Sequence, residues 1–176
     1  MDAGGDAVAI RVLGAADLAA YRALRREAVT LAPVAFLTTP AEDAAISDAE
    51  VLRRLAEAWP SAVFGAFVGD DLVGMAGFGA NEREKQRHRG TLWGVYVQPA
   101  HRGRGIARDL VRAVIEHAAQ HARFLDAVVS GGNAEARALY DGLGFERYGV
   151  VPSAQFAEGA FHDDILIGLL LDRPKA

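Results

Sequence analysis

A basic, glycine-rich turn joins a β-branched segment to an amphipathic segment in the middle of the chain. Val95-Tyr96-Val97 ends at Pro99, and the run Arg102-Gly103-Arg104-Gly105-Ile106-Ala107 follows. The first N–H groups of a helix have no partner inside the helix, and the helix dipole places partial positive charge there. Glycine lets the backbone approach a ligand closely, and the two arginines add formal charge. The pattern predicts a site for an anionic ligand that carries phosphate.

Two common phosphate-binding motifs do not fit this turn. The third glycine of the dinucleotide fingerprint G-x-G-x-x-G packs a helix against a strand, and Arg108 stands at that position. The P-loop requires Gly-Lys-Ser/Thr, which does not occur in the sequence. Another kind of nucleotide- or phosphate-binding domain, and a turn that uses glycine only for its shape, are the alternatives left open by these residues.

A second pair of polar residues marks the next predicted helix. Asn133 stands where a helix cap belongs, and Tyr140 lies seven residues later on the same helical face. Taken alone, Asn133 is typical of a cap and Tyr140 of a core aromatic residue. One helix and one strand separate this pair from the glycine-rich turn. Both motifs can therefore meet at the carboxyl ends of neighbouring parallel strands, where α/β proteins bind ligands.

Hydrophobic periodicity predicts the element order β-α-α-β-β-β-α-β-α-β-β, an α/β or α+β fold around a mixed sheet in a single domain over residues 1–176. Residues 1–7 are expected to be a frayed terminus, and residues 81–90 a solvated hairpin tip. The strands are expected at residues 8–13, 61–68, 72–79, 91–97, 124–129, 145–151 and 161–171, and the helices at residues 17–30, 49–59, from 105 onward, and 133–144.

Composition excludes several classes of protein. The chain has 176 residues, no cysteine and a net charge of −4. Disulfide scaffolds, thiolate metal sites and cysteine nucleophiles are therefore excluded, and no nucleic-acid partner is expected. Since no apolar stretch reaches the roughly 18 residues of a membrane helix, and no signal peptide is evident, we expect a cytoplasmic protein without a membrane partner. His117 and His121 lack a third ligand, so we expect exposed helix histidines and no metal.

Together, the two motifs resemble the GNAT acetyltransferase superfamily. Residues 102–107 are similar to its acetyl-CoA signature R-x-x-G-x-G/A, and the pattern Asn133-x-x-Ala136-x-x-Leu139-Tyr140-x-x-Leu143-Gly144-Phe145 is similar to its second motif. The resemblance covers residues 61–150 well and places an acetyl-CoA-binding core at residues 91–145. It implies a mixed, mostly antiparallel sheet of about six to seven strands flanked by about four helices.

The same resemblance implies an N-acetyltransferase that uses acetyl-CoA as cosubstrate, and it implies roles for individual residues. Backbone amides of the glycine-rich turn would hold the CoA diphosphate, and two residues of the preceding strand would pair with the pantetheine arm. Asn133 would bind the pantetheine or phosphate region, and Tyr140 would face the sulfur as the catalytic acid. The cofactor-binding set is Val95, Val97, Arg102, Gly103, Arg104, Gly105, Ile106, Ala107, Asn133 and Tyr140.

In the implied reaction, a primary amine attacks the thioester carbonyl directly in a ternary complex, and a backbone N–H near Val97 stabilises the developing oxyanion. Residues 92–96 carry no carboxylate, so the base must lie elsewhere. Glu42, Asp43 and Asp164 are the candidates, with solvated loop acids as the alternative. The acceptor is expected to be a small-molecule or peptide amine, and a homodimer is implied by the resemblance. A non-catalytic acyl-CoA-binding module is the alternative function.

Overall fold

The computed structural model describes residues 7–171. Seven strands form one sheet with the order β1-β2-β3-β4-β5-β7-β6, and every neighbouring pair is antiparallel except β4 and β5, which are parallel. The predicted mixed, mostly antiparallel sheet is thereby confirmed. The strands are β1 (Val8–Val12), β2 (Ala62–Val68), β3 (Asp71–Ala80), β4 (Arg89–Val97), β5 (Phe124–Ser130), β6 (Glu146–Ala157) and β7 (Ala160–Leu170).

Five α-helices flank this sheet in the described part of the chain, one more than expected. They are α1 (Leu18–Leu31), α2 (Pro40–Ala45), α3 (Asp48–Leu52), α4 (Ile106–His121) and α5 (Ala134–Asp141).

The unexpected helix is α2, and its own sequence explains it. Thr39 accepts a hydrogen bond from the Glu42 backbone N–H, while the Glu42 carboxylate accepts the Thr39 backbone N–H at 2.8 Å. This reciprocal capping box, followed by a proline in the first helical position, starts a helix between the predicted helices over residues 17–30 and 49–59, where no element was predicted. The predicted helix over residues 49–59 is also interrupted, because α3 passes into a wider π-helical turn at Arg53–Glu57.

The two faces of the sheet bury separate apolar clusters. Helix α4 covers one face, where Leu110 and Val114 pack against Leu92 and Leu125. Helix α1 lies on the other face with Leu24, against side chains that include Tyr96. Strand β4 therefore contributes side chains to both clusters, and its two faces contact different parts of the molecule.

The prediction of exposed histidines at the end of α4 is wrong for both residues, since His121 is half-buried and His117 is buried. The His117 Nε2 lies 2.7 Å from the Pro60 carbonyl oxygen. The rings of Trp59 and Phe78 pack edge-on against it, so the residue is part of the core. Within residues 7–171 no group of three His, Asp or Glu side chains is arranged to hold a metal ion. None of the helices described above is long and apolar enough to cross a bilayer.

Candidate active site

The parallel strands β4 and β5 separate partway along their length. They are paired only at Arg89–Phe124, Gly90–Leu125 and Thr91–Asp126. Strand β4 then continues to Val97 and β5 to Ser130 without further pairing between them. A gap therefore opens in the sheet toward the carboxyl ends of the two strands, and their backbone groups on that side are available to a ligand.

A β-bulge lies in β4 beside this gap. Trp93 pairs with Gly77 and Tyr96 with Met75, so three steps along β4 match two along β3. Gly94 occupies the bulge with φ of +64°, a conformation that favours glycine. The extra residue places Trp93 and Tyr96 on the same face and leaves bulge backbone groups outside the β3–β4 ladder.

A cavity of about 530 Å³ lies at the mouth of the gap. Its walls come from four places: the end of β4, the turn before α4 with that helix's first residues, the beginning of α5, and the segment after α1. The lining residues are Ala32, Ala35, Phe36, Val95, Tyr96, Val97, His101, Arg102, Gly103, Gly105, Ile106, Ala107, Arg108, Asn133, Glu135, Ala136 and Leu139.

The amino end of α4 faces this cavity without a capping side chain. Gly105 is the N-cap with φ of +81°, and it makes no side-chain cap hydrogen bond because it has no side chain. Gly103 also has a positive φ, +75°. A Cβ at either glycine would meet no atom within 4 Å, so backbone conformation and not crowding selects glycine. The first N–H groups of α4 are left for an anionic ligand.

The two arginines of the turn do not act alike. The Arg102 Nε–H donates to the Val97 carbonyl oxygen at 3.0 Å, and the guanidinium lies 5.6 Å from the centre of the Tyr96 ring. An Arg104 nitrogen lies 3.2 Å from His101 Nδ1, and Arg104 does not line the cavity. Arg108, predicted only to be too bulky for a dinucleotide motif, joins Arg102 as a second arginine in the cavity wall.

Asn133 has the position that the sequence predicts. Its Oδ1 accepts the Ala136 backbone N–H at 3.0 Å, which caps α5, and Asn133 itself lines the cavity. Tyr140 is 7 % exposed, packs edge-on against the Phe145 ring, and is not among the residues of the cavity wall. Its burial raises the pKa of the phenol to about 12.

The three candidate bases occupy three different environments. Glu42 is exposed, and hydrogen bonds from Thr39, first from its backbone N–H, lower the pKa of this carboxyl. Asp43 is buried and forms an ion pair with Arg25, with 3.0 Å between Oδ1 and Nε. Asp164 is buried on β7 and accepts a hydrogen bond from Gln155 Nε2 at 2.7 Å. Glu42 and Asp43 thus have clear folding roles.

A further polar network lies beside β4 and was missed from the sequence. The Tyr96 hydroxyl donates to Glu27 Oε1, and Gln98 Nε2 donates to Glu27 Oε2, both at 2.9 Å. Burial, with the Glu27 hydrogen bond, raises the pKa of Tyr96 to about 12. Glu27 lies in a helix about 70 positions earlier, so no local pattern connects it with β4.

The site combines separated parallel strands, an uncapped helix start and a cavity at their junction, which are the features of a protein that binds an extended anionic ligand. Residues 22–145 match the Acetyltransferase (GNAT) family, and the chain belongs to that family. The predicted resemblance and enzyme class, an acetyltransferase, are confirmed.

Two relatives support the family assignment over most or nearly all of the chain. The chain is 32 % identical to an L-methionine sulfoximine/L-methionine sulfone acetyltransferase of Pseudomonas aeruginosa, over 95 % of this chain and 96 % of that protein. It is 34 % identical to a mycothiol acetyltransferase of Rhodococcus opacus, over 83 % of this chain but only 50 % of that longer protein.

Solved structures show the same fold. The putative acetyltransferase yncA of Salmonella typhimurium, solved with its cofactor acetyl-CoA, has a TM-score of 0.81 and 26 % identity, with 97 % of each chain covered. A phosphinothricin acetyltransferase of Sinorhizobium meliloti, in complex with acetyl-CoA, has a TM-score of 0.81 and 26 % identity, over 93 % of this chain and 88 % of that one.

Proposed function

We propose that this acetyltransferase moves the acetyl group of acetyl-CoA to a primary amine of a small molecule, by direct attack within a ternary complex. The observation that carries the proposal is the uncapped start of α4 at the mouth of the β4–β5 gap. A CoA ester combines a diphosphate with a long polar arm. The helix start suits the diphosphate, and the unpaired strand backbone suits the arm.

The chain's own backbone would hold most of this cosubstrate. The N–H groups of residues 102–107 would bind the diphosphate, with Asn133 beside them in the cavity wall. Val95 and Val97 would pair through their backbone with the pantetheine arm, because β4 has no strand partner on that side beyond Thr91. Arg108 would add positive charge near the same region.

Bound acetyl-CoA supplies an acetyl group already activated as a thioester. The amine nitrogen must lose a proton to form the new C–N bond, and the sulfur leaves with the electron pair of the broken C–S bond. A backbone N–H near the β4 bulge would stabilise negative charge on the carbonyl oxygen. Tyr140 would protonate the sulfur, since a pKa of about 12 keeps the phenol protonated at neutral pH. Tyr140→Phe is then expected to lower kcat far more than the affinity for acetyl-CoA.

The acceptor we favour is an amino-acid-like small molecule. The support is the relative named for L-methionine sulfoximine and L-methionine sulfone, which matches this chain over nearly its full length. The cavity of about 530 Å³, with Ala35 and Phe36 from the segment after α1 in its wall, is of a size that suits small molecules. A peptide amine is the competing acceptor.

We also propose a cytoplasmic location, which the cysteine-free composition supports.

We further propose a homodimer. The dimer is supported by Phe156 and Phe161 on the β6–β7 hairpin, whose side chains are 67 % and 70 % exposed with ring centres 5.0 Å apart. Light scattering on the purified protein tests the dimer, and a monomer at micromolar concentration contradicts it.

A non-catalytic acyl-CoA-binding module is the second candidate. Two observations favour it: no side chain of residues 92–96 carries a carboxylate, and Tyr140 lies outside the cavity wall. Such a module would bind acetyl-CoA as well as an enzyme does but would release no thiol with any amine.

Two measurements test the proposal in sequence. The melting temperature of the protein alone is compared with its melting temperature in the presence of acetyl-CoA, CoA, ATP or NADH. A ligand at about 100 times its Kd stabilises by roughly 2.7 kcal/mol, which raises the melting temperature by about 5–10 °C at this size. Thiol release is then followed with L-methionine sulfone, L-methionine sulfoximine, phosphinothricin and a peptide. Stabilisation by the two CoA compounds and thiol release support the enzyme, and stabilisation alone supports the binding module. No stabilisation by either CoA compound overturns both.

A further inference from the structure

Five polar or charged residues of the described chain are buried, and three of them form an ion pair or contact a backbone carbonyl group. Arg25 and Asp43 pair with each other, and His117 contacts the Pro60 carbonyl oxygen. The other two are Ser130 and Asp164. The Ser130 hydroxyl oxygen is fully buried without a hydrogen-bond partner, and no ion pair to Asp164 is formed within residues 7–171. A buried carboxylate without a cation is costly, so this pair requires an explanation.

Ser130 and Asp164 are neighbours. They are directly opposed in the antiparallel β5–β7 ladder, so their side chains project from the same face of the sheet. The adjacent residues Val129 and Ile165 point to the other face, into the cluster beneath α4. Ser130 and Asp164 therefore lie on the face that carries Tyr96 and α1.

The pair also lies at the open end of the gap. The last β4–β5 pair is Thr91–Asp126, and Ser130 is four residues beyond Asp126. Val95 is four residues beyond Thr91 on the opposite strand. At roughly 3.3 Å per residue, both lie about 13 Å past the point of separation. Ser130 thus borders the gap at the level of the β4 bulge, on the side away from α4, and Asp164 lies beside it on the next strand, β7.

The chemistry of the pair matches an ammonium group. An alkylammonium has three N–H donors and no acceptor, and both the carboxylate and the hydroxyl oxygen accept. Gln155 Nε2 donates to Asp164 Oδ1 at 2.7 Å, which orients the carboxylate. We propose that Asp164 and Ser130 bind the ammonium group of the acceptor and that Asp164 takes the proton the nitrogen loses before it attacks. The inference rests on the proposed function, since it names the acceptor subsite and the base of that reaction.

The main test is Asp164→Asn, with Asp163→Asn as the matched control. The asparagine at 164 can still accept from Gln155 but carries no charge. The control changes an exposed neighbour whose Oδ1 accepts the Ser153 backbone N–H, a bond that asparagine also makes. With L-methionine sulfone as acceptor, we expect Asp164→Asn to lower kcat/KM about 100-fold and to raise the KM for the amine. The control should stay within about twofold of the wild type.

Two further readouts separate a direct role from a structural one. The melting shift with acetyl-CoA should be the same in Asp164→Asn as in the wild type, and Asp164→Glu should restore part of kcat/KM. Ser130→Ala should raise the KM for the amine by up to about tenfold, because it removes one acceptor of the ammonium hydrogens. If Asp164→Asn keeps kcat/KM within about threefold of the wild type, or loses its acetyl-CoA shift in parallel with activity, the inference is wrong.

Calorimetric titration of L-methionine sulfone into the CoA-saturated protein separates this inference from the proposed function. Binding by the wild type but not by Asp164→Asn supports the subsite even if the wild type releases no thiol, in which case the proposed function alone fails. Thiol release by the wild type together with equal amine binding by both proteins rejects the subsite and leaves the proposed function standing.

Discussion

The Arg102 side chain is tied to the strand that precedes it. Its Nε–H donates to the carbonyl oxygen of Val97, the last residue of β4, at 3.0 Å. The bond spans the turn before α4, so it fixes how the start of the helix is placed relative to the end of the strand. Arg102 therefore contributes to the anion site through the position of backbone N–H groups as well as through its charge.

Replacement of Arg102 by alanine should weaken acetyl-CoA binding more than it destabilises the fold. The variant loses the tether to Val97 and one positive charge at the cavity, and we expect the Kd for acetyl-CoA to rise about tenfold, equal to about 1.4 kcal/mol. Calorimetric titration measures it. Arg112→Ala is the control, since Arg112 is exposed on α4 and pairs with Asp109 of the same helix, at 3.7 Å. Equal affinity in both variants would contradict a positioning role for Arg102.

Gly105→Ala tests the backbone conformation at the helix start. An alanine there has free space around its Cβ but must adopt a φ of +81°, which costs about 1–2 kcal/mol in an L-residue. We expect chemical denaturation to show a loss of that size and acetyl-CoA to bind more weakly. Gly132→Ala is the matched control, because a Cβ at Gly132 also meets no atom within 4 Å and the φ of Gly132 is not in the positive range. It should leave stability within about 0.5 kcal/mol of the wild type; a similar loss in both variants would argue against strain.

The parts of this site that the sequence predicted are those encoded locally. The glycine-rich turn, the Asn133 cap and the element order each depend on residues within a few positions of one another, where propensity and periodicity are informative. The missed helix α2 was also encoded locally, in the Thr39–Glu42 capping box, and the signal was available.

The features that could not be predicted depend on contacts between distant segments. The bulge at Gly94 arises from the β3–β4 register, and the gap from where β4 and β5 stop pairing. His117 is buried because Pro60, 57 positions earlier, brings a carbonyl group to it. Of the two buried candidate acids, Asp43 has an arginine beside it and, in the described part of the chain, Asp164 does not, a difference that no local pattern reveals.

Asp43→Asn should be strongly destabilising, in contrast to a change at the preceding residue. Asp43 and Arg25 have side chains only 8 % and 10 % exposed, so removing the carboxylate leaves a buried guanidinium without its counter-charge. The expected loss in the free energy of unfolding is about 3–5 kcal/mol. Glu42→Gln keeps the capping box, since glutamine also accepts the Thr39 N–H, and should change stability by less than about 0.5 kcal/mol. Urea denaturation compares the free energies of unfolding of the two variants. Equal small losses would mean that the Asp43–Arg25 ion pair contributes little to stability.

Stability should also fall in alkaline solution because of buried Tyr140. Its pKa is about 12 in the folded protein, compared with 10.0 for an unperturbed tyrosine. The folded state holds this proton more tightly than the unfolded chain, so the stabilisation is complete below pH 10 and is lost as pH rises toward 12. At about pH 11 one such residue lowers the free energy of unfolding by about 1.4 kcal/mol. Tyr96, also with a pKa of about 12, adds a similar loss. Urea unfolding at about pH 8 and about pH 11 measures the change in the free energy of unfolding between these two conditions. The decrease should be smaller for Tyr140→Phe than for the wild type. An identical decrease in both proteins would place the Tyr140 hydroxyl in contact with water.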